Sequence, residues 1–121
     1  MGQECFYREN RKDREEREVL LAERLTKDGG QMLFRIRPMS QQENESIWKR
    51  CGEDERRYEQ AVLAESVVFP DLKDAALQNS YGVVGAERLL GKMLLAGESD
   101  ALRKAVEHIN GGEDAVCTDY I

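Results

Sequence analysis

The sequence predicts an α+β domain, mainly α, in which an N-terminal β-hairpin is followed by four to five short packed helices. Two patterns and the length predict it. Residues 32–37 alternate apolar and polar side chains, the period of a half-buried strand. From Ser40 onward apolar residues recur at helical spacing, with Gly and Pro punctuating them. A length of 121 residues suits one domain, whose core buries roughly two-thirds of the unfolded surface.

The chain opens on a segment with little to bury. Residues 8–18 (RENRKDREERE) hold five acidic and five basic side chains and no apolar one. Such a run reads as a charged mobile leader over residues 1–17, or alternatively as a docking arm anchored by Cys5, Phe6 and Tyr7. A single folded domain is expected over 18–112 and a flexible tail over 113–121.

The hairpin is expected to pair an apolar run at 19–25 with 32–37. Met32, Phe34 and Ile36 fall on one face, Arg35 and Arg37 on the other. Between the strands, Asp28-Gly29-Gly30 supplies the turn chemistry that permits positive φ. Leu20, Leu21 and Ala22 would also suit a helix, so the first strand is the more ambiguous. Pro38 offers no N–H to a ladder and closes the second.

Ser40 followed by Glu43 is a capping box, which satisfies two helix N–H groups that otherwise lack partners. Ile47, Trp48 and Cys51 share one face of that helix, and Gly52 ends it. The next helix is expected over 54–69, with Tyr58, Ala61, Val62, Leu63 and Val67 as its apolar surface, stopped by Pro70. Asp74 caps a short helix running to Tyr81 and Gly82. Ala86, Leu89, Leu90, Met93 and Leu94 mark another, and Leu102, Ala105, Val106 and Ile109 the last. Gly97 is expected to separate these two, with Ser99 as the cap.

Composition excludes several classes. A net charge of −6 argues against a broad phosphate-gripping face. No run approaches the roughly 20 apolar residues of a membrane span, and the first residues lack the apolar stretch of a signal peptide. Cys5, Cys51 and Cys117 have no metal-ligand spacing, and His108 is the sole histidine. Cys51 reads as core, and His108 as a helix-end residue favoured by the C-terminal dipole. No catalytic residue, cofactor site or metal site is therefore expected. A helix–glycine–helix outline over 77–94 allows a DNA-binding alternative, but only Arg88 and Lys92 would face phosphate.

The best candidate for a protein-binding surface is Tyr81, Val83, Val84, Leu89, Leu90, Met93 and Leu94, more apolar residues than a narrow core stripe needs. Core packing is the competing explanation. Gly91 inside that helix costs about 1 kcal/mol relative to alanine. Either close packing against a neighbouring helix or a notch that receives a partner would compensate.

The strings FRIRP at 34–38, FPDLKDAALQNSYGVVGAERLLGKMLL at 69–95 and ING at 109–111 carry a family likeness. In them the chain resembles the XkdN-like phage tail assembly chaperones, over about residues 17–112 and most strongly over 67–97. The resemblance implies a non-catalytic protein of long-tailed phages or prophages, made in the bacterial host cytoplasm and absent from the mature virion. It implies the tape measure protein and the tail tube protein as partners, with self-association possible and neither nucleic acid nor membrane among them. It also implies that some relatives have a longer, frameshifted form. A structural tail connector or completion protein is the alternative role.

Overall fold

In the computed structural model, residues 2–12, 14–27 and 29–111 are described. A three-stranded antiparallel sheet is packed on one side by helices. Its strands are β1 (Arg17–Ala22), β2 (Met32–Ile36) and β3 (Val67–Phe69), in the order β1-β2-β3. Five α-helices lie among the described residues: α1 (Gln41–Arg50), α2 (Glu55–Ser66), α3 (Ala75–Ser80), α4 (Ala86–Met93) and α5 (Ala96–Ile109). The fold class read from the sequence is the one observed.

The hairpin forms for the expected reason. Along β2, burial alternates strictly: Met32, Phe34 and Ile36 are buried while Leu33 and Arg35 are exposed. β1 starts at Arg17 and ends at Ala22, earlier at both ends than the expected 19–25, because its pairing follows β2 from Ile36 back to Met32. A bulge between Leu20 and Ala22 interrupts that register. Gly29 and Gly30 both take positive φ in the connection; Asp28 lies outside the described residues.

The third strand is a correction. The helix expected over 54–69 ends at Ser66, and Val67–Phe69 pairs with β2 instead. Phe69 precedes Pro70, which disfavours the α conformation there, and Val67, Val68 and Phe69 suit a strand. The chain changes direction at buried Ser66, whose hydroxyl donates to the Val62 carbonyl at 2.7 Å. The Ser66 carbonyl in turn accepts from Arg37 N–H at 2.9 Å, which extends the ladder.

Most helix starts follow their side-chain caps. The Ser40–Glu43 capping box is formed. Asp54 accepts from Arg56 and Arg57 N–H, and Asp74 accepts from Leu77 N–H. The last start differs from expectation. α5 begins at Ala96, so Gly97 and Ser99 lie within its first turn, and Glu98 caps it by accepting from Leu95 N–H at 2.9 Å.

The core joins β2 to the C-terminal helices. Ile36, Leu89, Leu102 and Ile109 are essentially inaccessible, with Met32, Phe34, Leu63, Leu72, Leu90, Met93, Leu94 and Val106 around them. Ile47, Cys51 and Ala61 make a smaller cluster between α1 and α2. Trp48 packs edge-on against Tyr58 beside it.

Gly91 is not held by close packing. It is exposed, and a Cβ built on it meets no atom of the described residues within 4 Å. Gly91→Ala is therefore expected to raise stability by about 0.5–1 kcal/mol through helix propensity alone. A urea-unfolding midpoint that moves upward at unchanged slope checks this.

Candidate protein-binding surface

The segment from α3 to α4 divides the sequence-predicted residues between core and surface. Leu89, Leu90, Met93 and Leu94 lie in the core, on a helix packed against α2, rather than facing solvent. Val83 is half-buried against the same cluster. Tyr81 and Val84 are exposed, Val84 at 79%. Both of these last side chains are accessible on the folded chain.

The loop that carries them is held in one shape by Gln78. Its side-chain N–H donates to the Leu72 carbonyl at 2.8 Å, and its side-chain oxygen accepts from Gly85 N–H at 3.0 Å. Its backbone carbonyl accepts from Val83 N–H at 3.1 Å. One residue thus ties the approach to α3, the loop crest and the entry to α4. Gly82 at φ 69° closes α3 with Gly82 N–H donating to Asn79, and Gly85 at φ 106° passes the chain into α4. Fixing an apolar side chain outward in a bonded loop reduces the ordering entropy that binding must offset.

An ion pair fixes the ground next to it. The Arg24 guanidinium grips Glu98 through both ends, Nε to Oε2 at 2.7 Å and Nη2 to Oε1 at 2.6 Å. Nη2 also donates to the Met93 carbonyl at 2.8 Å, tying the hairpin connection to the elbow between α4 and α5. Leu95, in that elbow, is exposed. Sequence reasoning missed Arg24, Leu95 and Glu98. The Leu95-to-Glu98 spacing of a helix start was the only available signal, because Arg24 and Glu98 are 74 positions apart.

Chemistry among the described residues is sparse. No group of three or more His, Cys, Asp or Glu side chains could hold a metal ion there. Cys51 is buried and Cys5 exposed; Cys117 lies outside the described residues. His108 sits in the last turn of α5, and its carbonyl accepts from Arg14 Nη1 at 3.0 Å. On α4 the exposed side chains are Glu87, Arg88 and Lys92, a mixed set for the helix that a DNA-binding reading would place in a groove. No described helix is long and apolar enough to cross a membrane.

The fold and this surface define a small α+β scaffold that displays apolar side chains on a bonded loop. The chain belongs to the family of phage XkdN-like tail assembly chaperone proteins, which matches residues 4–118. That span takes in the charged N-terminal segment that the resemblance left aside. The crystal structure of the protein YqbN, a structural genomics target, has the same fold: TM-score 0.78 at 22% identity, covering 92% of this chain and 97% of that one. No curated protein matches the sequence.

The Arg24–Glu98 pair gives the region a pH dependence. The Arg24 hydrogen bonds, then the Leu95 N–H, hold the Glu98 carboxyl down at about 2 against an ordinary 4.5. A carboxyl depressed on folding stabilises the fold above its unfolded value, and that contribution fades as pH falls from about 4.5 towards 2. The expected outcome is a melting temperature that drops across this window, with a shallower drop in Glu98→Gln. Parallel melts from pH 6 to pH 2, compared at roughly matched ionic strength, check it.

Proposed function

We propose that this protein binds the tape measure protein and recruits tail tube subunits while a phage tail is assembled. In this reading it works without catalysis in the cytoplasm of the bacterial host and is left out of the mature virion. Family membership supports the assembly role. The single structural observation that carries the binding site is Val84, exposed at 79% on a loop that Gln78 holds closed.

The physical logic is that of a holdase. A long tape measure helix carries apolar surface that has no cover before the tube closes round it, and uncovered apolar surface aggregates. Tyr81 and Val84, with Val83 behind them, offer a fixed apolar contact backed by the buried row Leu89, Leu90, Met93 and Leu94. Those buried residues support the loop from beneath, and the exposed pair meets the client.

The test is a calorimetric titration with tape measure fragments. Val84→Asp and Tyr81→Ser are expected to leave the melting temperature within a few degrees of the parent. Combined, they are expected to weaken fragment binding by about tenfold or more, equivalent to about 1.4 kcal/mol. Undiminished affinity in the folded double variant contradicts this placement of the site, and no binding by the parent chain contradicts the function.

A further inference from the structure

Two open hollows meet at the C-terminal end of α5. Asn110 caps that helix and lines both hollows. Its side-chain oxygen accepts from Met39 N–H at 2.6 Å, and its side-chain N–H donates to the Val106 carbonyl at 2.9 Å. The end of α5 is thereby tied to the approach to α1. The first hollow, of about 640 Å³, is lined by Arg11, Lys12 and Arg14 together with Pro38 and Ile109. The second, of about 420 Å³, lies between α1, α2 and α5 and is lined by Met39, Tyr58, Val62 and Val106. Met39, Ser40, Gln41 and Asn110 belong to both, so the two form one groove with a basic end and an apolar end.

The chain enters its C-terminal tail beside this groove. Ten residues follow Gly111, and the tail expected over 113–121 lies outside the described residues. Its sequence orders chemistry as the groove does. Glu113 and Asp114 come first, Val116, Tyr120 and Ile121 come later, and no basic residue occurs among the ten. Extended, ten residues reach about 33 Å, roughly twice the length of α1, so the tail can run the length of the groove. Charges match at the near end, where acids of the tail meet three bases. Glu107, which lines the apolar end, already has Arg103 as a partner at 2.9 Å.

We infer that residues 113–121 fold back along this groove as an internal strap. Glu113 and Asp114 lie against Arg11, Lys12 and Arg14, and Val116, Tyr120 and Ile121 cover Met39, Tyr58 and Val62. Burial of the apolar side chains drives the docking, and the exposed ion pairs set its direction. The contact can be weak, because a short tether gives the tail an effective concentration in the millimolar range. Docked, the strap joins the N-terminal segment to the end of α5 and keeps the groove from other chains. No residue that lines the groove belongs to the α3–α4 loop, so that loop stays open to a client.

Paramagnetic broadening in the full chain tests the inference. A nitroxide is attached at Cys117 in a Cys5→Ser background, where Cys51 is buried. The Asn44, Tyr58 and Val62 amide signals are expected to lose intensity. They are expected to recover it in a variant with Glu113→Lys and Asp114→Lys, and to lose it again when Arg11→Glu and Lys12→Glu are added. Each variant is expected to keep the dispersed α1 and α5 signals of the parent, the sign of an intact fold. A mixture of spin-labelled chain and isotope-labelled, spin-free chain is expected to show no loss. Equal intensities in the parent and the lysine variant overturn the inference, as does a compensating swap that restores nothing. Loss in the mixed sample overturns it too, since the groove then receives the tail of a second copy.

Discussion

Burial of one side of β2 is the constraint on which the rest of the structure depends. Met32, Phe34 and Ile36 seat against Leu89, Leu102 and Ile109, and β2 is the central strand, bonded to β1 on one edge and β3 on the other. Because successive strand residues alternate in direction, this burial also decides what stays outside, namely Leu33 and Arg35. A register slip of one residue would exchange the two sets and expose the core. Polar ties then fix what the core positions: Arg24 on Glu98 at one end, Arg37 on Glu43 at the other. Individually such ties contribute little in solvent, so they act as alignment rather than as the source of stability.

Much of this was legible locally. The alternation of 32–37 identified β2 and its buried face, and Ser40, Asp54 and Asp74 marked three helix starts through bonds to residues two or three positions away. Local signals failed where the partner is remote. Val67 continues the helical spacing of α2, and its pairing with Ile36, added to the strand preference of Val67–Phe69 before Pro70, makes it a strand. Gly97 looks like a separator, yet first-turn N–H groups need no intrahelical partner, and Glu98 supplies the cap.

The candidate surface was half legible for a related reason. Helical spacing shows that Leu89, Leu90 and Met93 share a face, but not that this face is buried in the core beside α2. What places Val84 outside is the Gln78 side chain, whose bonds to Leu72 and Gly85 follow no sequence pattern. The division has a practical consequence. Substitution of the buried row removes core volume at about 2–5 kcal/mol per large-to-alanine change, and lost binding would then report unfolding. Tyr81 and Val84 can be altered without that confusion.

Hydrogen–deuterium exchange of the chain, alone and saturated with a tape measure fragment, tests the central claim most directly, since it reads where the client sits without any substitution. Added protection is expected over residues 79–86, with β2 and the middle of α5 unchanged because they are already slow. Protection confined to the outer side of the sheet or to α1, or none at saturation, would contradict it.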